Sequence, residues 1–146
     1  MAPITSRVEI SRRPEDVFAY VTDPSHLPDW QESVVSVRGE APYTVGSTVV
    51  VTRRVGRMER EMTSKLGELT PPRAWAVRGI DGPIRGDAKG TVEPLGDGER
   101  SKVTIALDLE GHGIGKLLLP LVVRRQVRAE MPRNMQKLKE QLELGP

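Results

Sequence analysis

The chain has 146 residues, and its 37% hydrophobic and 29% charged content is typical of a globular protein with one core. It contains no cysteine, which excludes disulfides, thiolate metal sites and cysteine nucleophiles. The 22 basic and 20 acidic side chains are interspersed and leave a net charge of +2, and aromatic residues are only 3%, so no nucleic-acid partner is expected.

Neither a membrane-spanning run nor a signal sequence is visible. No apolar run reaches the roughly 18 residues that a bilayer requires, and the first residues lack an apolar signal core. We therefore expect a cytoplasmic protein without stable membrane insertion, folded as a single domain over residues 1–146.

The first elements are a strand and two short helices. Apolar and polar residues alternate over residues 4–10, which predicts a half-buried strand. Pro14 and the two carboxylates after it favour a helix start. Asp23 and Pro24 end that helix and begin a second short one through Leu27, after which Trp30 closes the unit.

A run of strands follows, separated by turn residues. The sharpest hairpin signal is Gly96-Asp-Gly98, and Gly86 and Gly90 predict bulges or bends in their strand. The strands are predicted at 33–38, 47–55, 58–69, 74–80, 84–95 and 103–109. Strands joined by hairpins predict an antiparallel sheet with the helices on one face, an α+β fold.

The C-terminal run predicts one long helix beginning near Leu117. Apolar residues recur at helical spacing from Val127 to Leu142, and this stripe keeps its phase across Pro132, which predicts a kink rather than a break. Pro120 would stand in the first turn. The segment Leu117–Val123 is apolar all round, so it is either deeply buried or covers a cavity or a partner surface.

Residues 8–31, read as VEISRRPEDVFAYVTDPSHLPDWQ, resemble the opening signature of the polyketide cyclase/dehydrase group. This group belongs to the START-like (SRPBCC) superfamily, which shares a helix-grip fold with the birch pollen allergen. The resemblance implies a curved antiparallel sheet of about seven strands wrapped around a long C-terminal helix, with two short helices after the first strand. It also implies a cavity for small hydrophobic molecules such as lipids or polyketides.

The leading hypothesis is a non-enzymatic protein that binds such a molecule, for example in lipid transport. No catalytic residue, metal ligand or cofactor is assigned. The two histidines are far apart in the sequence, and no neighbouring residues complete a catalytic or metal site around either one. We expect a monomer or weak homodimer. The cavity walls expected from strand parity and the helix are Trp30, Met62, Leu66, Trp75, Val77, Ile105, Leu107, Leu118, Val122 and Gln126.

Two alternatives stay open at this point. A polyketide cyclase or aromatase in the same cavity would need a polar group inside it, and Arg60, Arg78 and Arg85 are the candidates. The other alternative is a protein or membrane contact made by Leu117–Val123, which requires an exposed apolar patch.

Overall fold

The computed structural model describes residues 3–118 and 122–144, and the side chain of Leu118 lies outside this description. The order of elements confirms the prediction. They are β1 (Ile4–Ile10), α1 (Pro14–Val21), a 3-10 turn (Pro24–His26), α2 (Leu27–Trp30), β2 (Val34–Arg38), β3 (Thr48–Val55), β4 (Met58–Thr70), β5 (Ala74–Gly79), β6 (Ile84–Leu95), β7 (Arg100–Gly111), α3 (Gly115–Leu118) and α4 (Arg124–Leu144).

The strands form one antiparallel sheet in the order β1-β7-β6-β5-β4-β3-β2. Successive hairpins account for every neighbour except the first, because β1 pairs with β7 in a register that joins Ile4 to Leu107 and Ile10 to Ser101. The predicted hairpin between β6 and β7 is confirmed, with Gly96 and Gly98 at φ angles of 60° and 91° that favour glycine. This is the helix-grip arrangement that the resemblance implied.

The bulges predicted at Gly86 and Gly90 are absent, because β6 keeps one register along β7 from Ile84 to Leu95. The register shifts lie instead in β2 and β4. Gly90 has a different purpose: a Cβ at this position would overlap the indole ring of Trp75. The glycine therefore lets a large ring lie across the inner face of the sheet.

The structure confirms a long C-terminal helix and describes its beginning in two parts, on either side of residues 119–121. Two helices are described, α3 and α4, with residues 122 and 123 in π-helical conformation immediately before α4. Pro120 and its expected place in a first turn lie outside the described residues. Pro132 does lie inside α4, as predicted.

The last turns of α4 pack tightly against β1, α1 and the sheet. Leu138 is 0% exposed and joins a core cluster with residues of α1, β6 and β7. Polar contacts hold the same end: the Ser11 N–H donates to the Glu143 carboxylate at 2.9 Å, and Arg12 donates to the Leu142 carbonyl at 2.8 Å. The helix is thus anchored at its C-terminal end.

Candidate ligand-binding site

Two adjoining chambers lie between the inner face of the sheet, α2 and the first half of α4. The first chamber has a volume of about 200 Å³ and the second about 140 Å³. The residues that line both chambers are called the waist here. They are Trp30, Gln31, Arg53, Ser64, Val77, Ala88 and Ile105.

Strand alternation explains why these side chains face inward, since every second residue of a strand points to the same face. On β3 the inward positions include Val51, Arg53 and Val55, and all three line a chamber. The parity expected for Met62, Ser64 and Leu66 on β4 agrees with the observed walls.

Most of the predicted wall residues do border the chambers. Trp30, Val77 and Ile105 belong to the waist, whereas the others divide between the two chambers. Met62, Leu107 and Gln126 line the first chamber, and Leu66 and Trp75 line the second.

Two predicted wall residues, Leu118 and Val122, are not among the residues found to line a chamber. The side chain of Leu118 lies outside the described residues. Val122 is 38% exposed and lies beside Gly56 in the β3–β4 turn, where a Cβ on the glycine would be 3.8 Å away. Leu117 is also exposed, at 68%. Contact of Leu117–Val123 with a protein or membrane stays a prediction, because residues 119–121 of this segment are not described.

The two tryptophans shape the second chamber differently. Trp75 stands edge-to-face on Phe18, with ring centroids 6.1 Å apart and an interplanar angle of 78°. Trp30 is only 4% exposed, and its indole N–H has no hydrogen-bond partner among the described residues. The structure places Trp30 at the waist, where it borders both chambers.

The three arginines proposed from the sequence are not among the chamber residues. Arg78 pairs with Asp87 at 4.0 Å on the solvent side, with its side chain 74% exposed. Arg85 donates to the Gly82 carbonyl at 3.2 Å, and Arg60 contacts the Met58 sulfur at 3.9 Å. Two other arginines line the cavity, since Arg53 borders both chambers and the exposed Arg54 borders the first.

Arg53 lines both chambers, and sequence reasoning missed it. Its Nη1 donates to the Ser33 hydroxyl at 3.3 Å. Burial lowers its pKa, and the charge of Glu130 opposes that effect. No carboxylate lies within ion-pair distance of Arg53 in the described part of the chain. Its inward parity between Val51 and Val55 was the available signal.

Gln126 and Glu130 connect α4 to the β3–β4 turn at the wall of the first chamber. The Gln126 amide accepts from the Gly56 N–H at 2.9 Å and donates to the Arg54 carbonyl at 2.9 Å. It also donates to Glu130 at 3.0 Å. Burial raises the pKa of Glu130, while the hydrogen bond from Gln126 partly opposes the rise. Gln126 therefore lines the chamber, but its polar atoms already have partners in the protein.

The histidines lie outside both chambers. His26 stacks on Tyr20 with ring centroids 4.0 Å apart. The Glu110 carboxylate lies 3.2 Å from the ring of His112, and both side chains are partly exposed. Among the described residues, no three potential metal ligands cluster, and no helix is long and apolar enough to cross a membrane.

The sequence matches, over residues 1–143, the model of a family described as polyketide cyclase/dehydrase and lipid transport. The chain belongs to this family. The match spans every described element except the last residue of α4. No curated protein matches the sequence at a significant level.

Solved structures agree with this family fold at low sequence identity. A protein from Thermus thermophilus shares 17% identity over 96% of both chains, with a TM-score of 0.79. The Zhui aromatase/cyclase from Streptomyces sp. R1128 shares 16% identity over 97% of this chain and 93% of its own, with a TM-score of 0.77. A START superfamily protein from Mycobacterium smegmatis shares 14% identity over 99% of both chains, with a TM-score of 0.73. These structures share the fold of this chain.

Proposed function

We propose that this protein binds a small, mainly apolar molecule in the two chambers between its sheet and α4. The observation that carries the proposal is a pair of adjoining chambers inside the fold, walled largely by apolar side chains and by both tryptophans. Burying apolar ligand surface contributes about 25 cal/mol per Å² before ordering costs. The few polar groups at the waist then determine which apolar molecules fit.

A polyketide cyclase is the second candidate, because the first chamber contains a cation and a carboxyl group. Arg53 can stabilise a developing oxyanion, and Glu130, whose pKa is raised by burial, can donate or accept a proton. The Zhui aromatase/cyclase has the same fold. Product formation from a reactive polyketone that disappears in Glu130→Gln, with ligand binding retained, would support this candidate over simple binding.

Tryptophan fluorescence tests the binding proposal directly, since the chain has two tryptophans and both line the second chamber. Titration with 1-undecanol should give a saturable change in emission. Native mass spectrometry of the purified protein would, in addition, give the mass of any molecule retained from the cell.

A matched pair of variants shows where the probe binds. Ala88 belongs to the waist, so Ala88→Leu should fill the cavity and abolish the saturable change. Ala106 lies beside Ile105 on β7 with the opposite parity, so Ala106→Leu should leave the change intact. Wild-type protein without a saturable change, or equal binding by both variants, would contradict the proposal.

A further inference from the structure

Several hydrogen-bond donors stand at the middle of the cavity. Trp30, Gln31, Arg53 and Ser64 are the polar members of the waist, each shared by the two chambers. Away from the waist, the walls of the second chamber are mostly aliphatic or aromatic. Thr22, Tyr43 and Ser47 add hydroxyl groups to the second chamber, and Gln126 and Asn134 add amides to the first. The waist is distinguished because its donors border both chambers.

Arg53 has more donors than the protein uses. A guanidinium carries five N–H groups, and the described residues supply it with one hydrogen bond, to Ser33 at 3.3 Å. Glu130 acts on Arg53 through its charge without forming an ion pair within 4.0 Å. The surface that Arg53 keeps accessible borders the chambers. Since a cation enclosed in a protein needs acceptors around it, Arg53 has capacity for an oxygen atom of a ligand.

Trp30 supplies an independent donor at the same waist. Its indole N–H can only donate, the side chain is 4% exposed, and no described residue accepts the bond. Buried polar groups of folded proteins nearly always have a partner, and an exception requires an explanation. Trp30 and Arg53 line the same waist, so an acceptor oxygen there lies next to both side chains.

We propose that the ligand is an elongated apolar molecule with an acceptor oxygen near its middle, as a carbonyl or a phenolate. Arg53 and Trp30 donate hydrogen bonds to that oxygen, and one apolar arm of the molecule occupies each chamber. This inference rests on the proposed function and narrows its ligand class. A molecule with its oxygen at one end can reach Arg53 and Trp30 at the waist only if its single apolar arm lies in one chamber and the other chamber stays unfilled.

Two isomeric ketones test the position of the oxygen, because 6-undecanone and 2-undecanone differ in nothing else. Equilibrium dialysis with gas-chromatographic quantification measures their affinities without relying on tryptophan. We expect 6-undecanone to bind about tenfold more tightly, the factor expected of one hydrogen bond from a charged donor. Arg53→Met and Trp30→Phe should each reduce that preference severalfold.

Control variants separate the donors from general packing. Trp75→Phe removes the other indole and should keep the preference for 6-undecanone, whereas Arg53→Lys keeps the charge but loses the planar fork and should weaken it. Circular dichroism establishes that each variant is folded. A fold-defective Trp30→Phe would leave the two Arg53 variants as the test.

Four results would overturn the inference. Equal affinity for the two ketones, or a preference unchanged in the Arg53 and Trp30 variants, would show that the waist donors do not select the ligand. Binding of 1-undecanol without either ketone would do the same while the proposed function stands. Failure of 1-undecanol as well would refute both the inference and the proposed function.

Discussion

The two halves of α4 share one apolar stripe but cover different interiors. At the C-terminal half, Leu138 and Leu142 are 0% and 4% exposed and meet α1 and the sheet in a filled core. At the N-terminal half, Val127 and Met131 border the first chamber. We call these regions the packed end and the hollow end.

The difference comes from the sheet rather than from the helix. At the hollow end the inward positions of β4, β5 and β6 carry small residues, namely Ser64, Gly79, Gly86 and Ala88. At the packed end the corresponding positions carry branched residues, and Val92 and Val103 are 1% and 0% exposed. Small side chains opposite a regular apolar helix leave space, so the cavity follows from side-chain volume under α4.

The largest expected effect compares a leucine truncation at each end. Leu138→Ala should lower the free energy of unfolding by about 3 kcal/mol, because it creates a cavity in a filled core. Leu107→Ala should cost only about 1 kcal/mol, because this leucine already borders a chamber and loses fewer contacts. Urea denaturation measures both values. Equal losses would show that the two ends are packed alike.

A glycine substitution tests how the packed and hollow ends meet at Trp75. Gly90→Ala forces a methyl group into the Trp75 ring and should destabilise the protein by about 2 kcal/mol, with a change in tryptophan emission. Gly67→Ala is the control, because the nearest atom to its Cβ, the Ala76 carbonyl oxygen, is 3.8 Å away. Its stability should change by less than about 1 kcal/mol. Unchanged stability and emission in Gly90→Ala would mean that the Trp75 ring moves freely.

Arg53→Met tests whether the charge at the hollow end serves stability. Burial lowers the pKa of Arg53, so the folded state disfavours its charge. Replacing it with an apolar chain of similar length should leave the free energy of unfolding unchanged or raise it by about 1 kcal/mol. The exposed neighbour Arg54→Met should have almost no effect. A marked loss in Arg53→Met would assign Arg53 a structural purpose.

The smallest effect is a pH dependence at the wall of the first chamber. Because burial raises the pKa of Glu130 above its ordinary value of 4.5, ionisation costs stability as pH rises through that folded-state pKa. The free energy of unfolding of Glu130→Gln, relative to that of wild type, should therefore be higher at pH 7 than at pH 4. The difference should be less than about 1 kcal/mol because the group is partly solvated. Thermal unfolding at both pH values measures this difference.

Glu32→Gln provides a control of opposite sign. A hydrogen bond from Arg133 lowers the pKa of Glu32 below 4.5, so this carboxylate adds stability above its unfolded pKa that is lost as pH falls. The free energy of unfolding of Glu32→Gln, relative to that of wild type, should accordingly be lower at pH 7 than at pH 4. Shifts of the same sign in both variants would contradict the electrostatic explanation.

Periodicity within single elements was sufficient to predict most of the fold. The two-residue period of β7 and the helical stripe through Leu138 each report one buried face, and the structure confirms both. The prediction of bulges at Gly86 and Gly90 was wrong, because a glycine in a strand has two explanations. It either breaks the register or makes room for a neighbour, and at Gly90 only the position of Trp75 distinguishes the two.

The site shows the same division between local pattern and long-range contact. The inward parity of Met62, Leu66 and Val77 was readable from the sequence because a strand alternates whatever surrounds it. The arginine that enters the cavity was not identified, since Arg53, Arg60 and Arg78 all lie on strands and differ in what faces them. By itself, the sequence determined the elements, their order and their apolar faces. Only the tertiary structure decided that small residues of the sheet lie opposite the first turns of α4, that Trp30 stands between two chambers, and that Arg53 is enclosed, because each depends on contacts between residues distant in the chain.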